Sequence, residues 1–120
     1  MKIYALGTPI PDAEVPPFPG TPEQLGGRVL EGDVRVSIRV DHQQDGMTAG
    51  IFEVTRGKVE IVFPFTEHAT MLEGQVTITD ESGQSHTYKP GDSYFIRQGQ
   101  RVTWDVTTPR LRKSFFNITR

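Results

Sequence analysis

Cysteine is absent from the 120-residue chain, which excludes a disulfide framework, a thiolate nucleophile and a zinc–thiolate centre. Histidine is scarce, so a histidine-based metal site has only His42, His68 and His86 to draw on. No charge of one sign dominates: 13 Lys and Arg stand against 15 Asp and Glu, a formal net charge of -2. Without a basic excess, nucleic acid is not an expected partner. Long apolar runs are missing too. Residues 1–7 are too short an apolar stretch for a signal peptide, and no segment approaches the length that spans a membrane as a helix. The expectation is a soluble cytoplasmic protein with no membrane partner. Amphipathic helical periodicity is also lacking, apart from a turn or so at residues 21–25.

What the chain does contain is strand and turn chemistry on the scale of one domain. Val34, Val36, Ile38 and Val40 alternate with Arg35, Ser37 and Arg39, and Val76 and Ile78 alternate with Gln75, Thr77 and Thr79. A period of two is that of a half-buried strand. Turn dipeptides punctuate these runs at Asp45-Gly46, Arg56-Gly57, Ser82-Gly83, Pro90-Gly91-Asp92, Gln98-Gly99 and Pro109. Many short strands at such spacing predict an all-β antiparallel barrel or sandwich. Before them, residues 8–27 hold Pro9, Pro11, Pro16, Pro17, Pro19 and Pro22, which blocks helix interiors and central strands. The division expected is an extended Pro-rich N-terminal arm over residues 1–27 and a barrel over residues 28–120. Such an arm is disordered unless it docks. The expectation is a homodimer in which it crosses to the partner and covers an open sheet edge.

Glu67 and Gly74 stand in the spacing Glu-x6-Gly, and Gly91-Asp92 is followed by Gly99. These resemble the two signature motifs of the cupin superfamily, G-x5-H-x-H-x(3,4)-E-x6-G and G-x5-P-x-G-x2-H-x3-N. The histidine positions of the first fall near Ile61 and Phe63. In the second, Arg97 stands for the proline, Val102 for the histidine and Val106 for the asparagine. Further blocks are Ala49-Gly50-Ile51-Phe52-Glu53, Phe63-Pro64-Phe65-Thr66-Glu67, Leu72-Glu73-Gly74, Thr79-Asp80-Glu81-Ser82-Gly83, Thr103-Trp104-Asp105-Val106 and Arg112-Lys113. Their order is similar to that of the small cupins grouped with the (S)-ureidoglycine aminohydrolase cupin domain. That group also resembles the C-terminal cupin part of the ethanolamine-utilisation Q protein. The resemblance implies a jelly-roll barrel. A cupin metal centre commonly takes His, His, Glu and His from neighbouring strands. Only Glu67 is a donor among the corresponding positions here, so neither a metal nor another cofactor is expected.

The candidate site follows from the same positions. Glu67, if it faces the barrel mouth among apolar neighbours, is poised as a general acid or base; alternatively it forms a structural ion pair with Lys113 or an Arg. Trp104 shares the strand face of Val102 and is either a flat wall for a ligand or the largest core residue. Lys113, on a strand expected to fold back after the Pro109 turn, either fixes a ligand carboxylate or ureido oxygen or is a strand-edge cation. Tyr94 and Arg97 are further substrate-binding candidates, Arg97 because a guanidinium suits a carboxylate; alternatively it forms a surface salt bridge. His68 follows Glu67 directly and points to the opposite face of an extended segment. His86 alternates with Tyr88 on a hairpin strand, and His42 lies in a polar turn. Gly74, Gly91 and Gly99 are read as corner glycines, and Asp92 as a residue that hydrogen-bonds its own turn.

Three functions are compatible with these residues. One is a metal-free cupin binding a small polar metabolite, with or without catalysis by Glu67. Another is a metal-dependent enzyme of ureide or amine metabolism. The last is a structural or regulatory dimer whose barrel is filled by Ile61, Phe63, Val102 and their neighbours.

Overall fold

The computed structural model describes residues 1–7 and 9–119; Thr8, inside the expected arm, and Arg120, at the end of the expected barrel, lie outside the described residues. Among the described residues the strands are β1 (Gly27–Glu31), β2 (Val36–Gln44), β3 (Met47–Val62), β4 (Thr66–Glu73), β5 (Val76–Asp80), β6 (Ser85–Tyr88), β7 (Ser93–Ile96) and β8 (Arg101–Ile118). The helical content of the described residues is two 3-10 turns, Asp12–Glu14 and Pro22–Leu25. The second is the turn expected at residues 21–25, closed by the Thr21 N–H donating to the Gln24 side chain at 2.8 Å. The all-β jelly-roll expectation holds. No helix among the described residues is long and apolar enough to cross a membrane.

Two long strands, β3 and β8, form the spine and pair with each other antiparallel along most of their length. The first half of β3 carries β2 on its other edge and the second half carries β1. The first half of β8 carries β5, which pairs with β6, and the second half carries β4, which pairs with β7. Each spine strand thus serves two sheets, and the sheets face each other across one core. That core takes Val76 and Ile78 from one side and Met71, Tyr94 and Ile96 from the other.

The bend in the spine explains two departures from the turns expected. Arg56-Gly57 and Pro109 do not end strands; both lie inside continuous ones. Thr55 pairs with Arg110 and Gly57 with Val106, so residues 107–109 have no partners on β3. A proline, with no N–H to offer a ladder, fits in that gap. Gly57 has φ of +153°, and a Cβ there would meet the Glu31 carbonyl oxygen and Val34, so the bulge needs glycine. Inward positions change parity across it. They are Phe52 and Val54 before the bulge on β3 but Val59, Ile61 and Phe63 after, and Val102, Trp104 and Val106 on β8 but Leu111, Lys113, Phe115 and Asn117 after. His42 is likewise in β2 rather than in a turn; the turn is Asp45-Gly46 alone, with φ of 53° and 77°.

Among the described residues, the segment before β1 packs against the barrel of its own chain. The Pro16 carbonyl accepts from Ile38 N–H and the Val36 carbonyl from Phe18 N–H, each at 2.9 Å. A segment rich in proline has few donors but intact carbonyls, so it can cap the free edge of β2. Val15 and Ile51 are buried where the segment lies over the outer face of the sheet. There Arg112 bonds the Ile10 carbonyl, Asp12 and Glu53 at 2.6, 2.8 and 2.8 Å.

Candidate functional site

The barrel is not filled. An apolar cavity of about 350 Å³ opens between the sheets, walled by Val36, Ile38 and Val40 of β2, Phe52 and Ile61 of β3, and Phe63, Phe65 and Phe115. Alternation on β2 and the parity change on β3 deliver these side chains to one space. Glu67, Trp104, Lys113 and Asn117 interrupt the apolar lining.

Glu67 on β4, paired in register with Asn117 of β8 and Ile96 of β7, points inward and is 2% exposed. Its Oε1 accepts from Lys113 Nζ at 2.6 Å and from the Tyr94 hydroxyl, and Lys113 also donates to the Tyr94 oxygen. The Asn117 amide donates to Oε2 at 3.4 Å. Three aromatic faces surround the Lys113 ammonium: Trp104 at 4.5 Å, Phe52 at 4.7 Å and Tyr94 at 5.2 Å from ring centroid to nitrogen. Such faces attract a cation through the ring quadrupole, most strongly when water is excluded. Burial pushes the lysine below its ordinary pKa, against the pull of Glu67. Burial, and then the neighbouring carboxylate, push the Tyr94 phenol well above its own. Tyr94 therefore holds its proton, while burial brings Lys113 nearer to giving one up.

Glu67 pairs with Lys113, and both residues line the cavity. Lys113 is not a strand-edge cation; it is 4% exposed. Trp104 is at once core and cavity wall, and its indole N–H is buried with no hydrogen-bond partner among the described residues. Tyr94 bonds the pair from behind and does not reach the wall. Arg97 is a correction: it sits exposed after β7, where its backbone N–H donates to Gln100 at 2.8 Å, and it lines no part of the cavity. Motif position placed it beside the barrel, but the strand ends at Ile96 and the turn carries the side chain outward. His68, His86 and His42 are all exposed, His68 on the outer face as alternation requires. Asp92 caps its own turn by accepting from Lys89 N–H at 2.9 Å, and Gly74, Gly91 and Gly99 have φ between 84° and 97°.

Asn117 and Phe52 were not anticipated. Asn117 was within reach of the sequence, because it lies four residues from Lys113 and so shares its strand face. Phe52 was not, since its distance in sequence from every other site residue hides the β3–β8 pairing.

The metal centre that the cupin resemblance implies does not fit these residues. Ile61 and Val102 are cross-strand neighbours at two of the aligned positions, and Phe63 fills a third. Among the described residues no three His, Cys, Asp or Glu side chains converge, and the Glu67 carboxylate is already engaged by the Lys113 ammonium.

Residues 41–115 match the EutQ-like cupin domain family. Comparison with curated proteins finds no significant match. Among solved structures, the Salmonella typhimurium LT2 protein described as ethanolamine utilization protein Q is 22% identical, with 70% of this chain and 69% of that one aligned at a TM-score of 0.59. The Clostridium difficile EutQ protein is 14% identical over 72% and 70% of the two chains, at 0.63. Ectoine synthase from P. lautus is 15% identical over 69% and 63%, at 0.62. At these identities the structural likeness speaks to the fold alone.

Proposed function

The chain belongs to the EutQ-like cupin domain family, and from that premise we propose that it is a small-molecule-binding cupin whose ligand has an apolar body and a polar head. The observation that carries this reading is the Glu67–Lys113 pair at the wall of an apolar cavity of about 350 Å³. A buried ion pair is no more stabilising than well-packed apolar side chains, so its place on a cavity wall speaks for use rather than for stability. Glu67 offers an acceptor, Lys113 and Asn117 offer donors, and the phenylalanines receive the body. Proton transfer between Glu67 and the ligand head is the chemistry this set supports.

The ureidoglycine aminohydrolase resemblance supplies one candidate head, a ureido or carboxylate group facing Lys113 and Asn117. That enzyme's metal chemistry is not part of the proposal, because the donor set does not fit an ion. A homodimer is part of it, formed through the exposed outer face of β4, β7 and β8 described below.

The test is titration with a panel of small carboxylates, amides and ureides carrying alkyl or phenyl groups, read by thermal shift and by the fluorescence of Trp104, the one tryptophan. Binding by at least one member is expected. Trp104→Ala should weaken it by about 1–3 kcal/mol through lost apolar contact, and Glu67→Gln should largely keep binding while abolishing any turnover. A panel that moves neither signal counts against the reading.

A further inference from the structure

The amine of Lys113 is a nucleophile on the cavity lining whose chemistry the binding reading leaves unused. Lys113 lines the cavity, and its Nζ is 2.6 Å from a carboxylate oxygen of Glu67. The apolar walls are suited to the body of a small organic molecule, and the three rings around Nζ are suited to a cation held there. We propose that Lys113 captures aldehydes or ketones in the cavity as an imine, with Glu67 shuttling the protons.

The step balances without an outside reagent. Lys113 gives a proton to Glu67, and the neutral amine attacks the carbonyl carbon, forming the N–C bond. Glu67 returns that proton to the carbonyl oxygen and takes a second from nitrogen, giving a neutral carbinolamine. It then protonates the hydroxyl, which leaves as water as the nitrogen lone pair closes the C=N bond. Three ammonium protons become one on the iminium and two in the water, and no electrons change owner. The product is an iminium cation beside the Glu67 carboxylate, so the buried charges stay paired as before. Burial, which holds Lys113 below the ordinary lysine range, lowers the cost of reaching the neutral amine. Tyr94 donates to the same carboxylate oxygen and so positions Glu67 rather than reacting. Lys2, Lys58 and Lys89, outside the cavity, have no such surroundings.

This inference rests on the cavity's accepting a ligand, and the experiment separates the two. The full-length protein is incubated with benzaldehyde or hexanal and sodium cyanoborohydride, which reduces the imine to a stable secondary amine. Intact mass and peptide mapping then locate the adduct, while benzyl alcohol and hexanol serve as carbonyl-free probes of binding by thermal shift. The expected result is one adduct per chain, on Lys113, forming at least tenfold faster than on Lys2, Lys58 or Lys89, slowed at least tenfold by Glu67→Gln, and blocked by the alcohols. The mapping is done on the unmodified sequence, so it does not depend on a Lys113 variant that folds. Thermal stabilisation by the alcohols with adducts only on the outer lysines overturns imine capture and leaves the binding reading standing. Neither stabilisation nor a Lys113 adduct overturns both.

Discussion

Trp104 carries two unlike properties in one side chain. Its ring walls the cavity and contacts Phe52, Phe63 and Tyr94 at centroid distances of 5.9–6.5 Å, while its N–H is buried without a partner among the described residues. An orphaned donor costs about 1–3 kcal/mol, and truncating a buried tryptophan to alanine costs about 3–5 kcal/mol. Trp104→Phe should therefore change stability by less than about 1 kcal/mol, the lost area being offset by removal of the orphan N–H. Trp104→Ala should cost the full amount. Chemical denaturation of the two variants decides it: if phenylalanine destabilises as much as alanine, the indole N–H has a partner that this geometry lacks. Beside it, Glu67 and Lys113 were legible as residues but not as a pair, because sequence offers no way to choose between a neighbouring arginine and a lysine 46 positions away.

The bends of β3 and β8 belong to the next scale. On strict alternation Trp104 and Lys113 would face opposite sides of β8; the irregular stretch at residues 107–109 shifts the parity and turns both inward. Both line one cavity, and the turn expected at Pro109 is a bulged continuation of the strand. The N-terminal segment is an element of a different kind, anchored by charge. Asp41 accepts from the Tyr4 hydroxyl at 2.6 Å and from Arg39 at 2.9 Å, with Lys2 at 3.8 Å. Burial works to raise the Asp41 pKa, but the bonds from Tyr4 and Arg39 outweigh it and hold the carboxyl below its ordinary 3.8. That stabilisation is complete above 3.8 and is lost as pH falls through the lowered value of the docked state. Burial, then the bond to Asp41, raise Tyr4 to about 12 from its ordinary 10.0. Its contribution is complete below 10.0 and is lost as pH rises through about 12. Docking of residues 1–7 should accordingly weaken at both edges, seen as movement of the Tyr4 amide resonance toward random-coil values. A resonance that stays put across both edges while the barrel remains folded would show that other contacts hold the segment.

At the scale of the whole molecule, the segment covers one part of the outer face of the sheet formed by β2, β3, β8, β4 and β7 and leaves another part bare. His68 of β4 lies in register between Phe95 of β7 and Phe116 of β8, and the two phenylalanines are 63% and 43% exposed. This exposed aromatic row across three strands is the surface a second copy would use in the proposed homodimer, since an isologous contact sets one patch against itself. Sedimentation at micromolar concentration should give a dimer that Phe95→Ser dissociates and that deletion of residues 1–26 leaves intact. A monomer at that concentration, or a dimer that survives Phe95→Ser and dissociates on the deletion, would return the proposal to arm exchange or end it.

By itself the sequence determined the local terms: the all-β class, from alternation and turn residues; the corner glycines at Gly74, Gly91 and Gly99; the outward face of His68; and Glu67, Lys113 and Trp104 as candidates. These depend on spacing within a few residues, where the period of two and the φ preference of glycine operate directly. Only the tertiary structure decided that Arg97 leaves the site, that Asn117 and Phe52 enter it, that the N-terminal segment caps its own β2 edge, and that the barrel keeps an open cavity. Each of those outcomes depends on which distant strands pair and where the bulge shifts their parity. No local preference encodes such pairing, because a shift of one residue reverses every side chain beyond it.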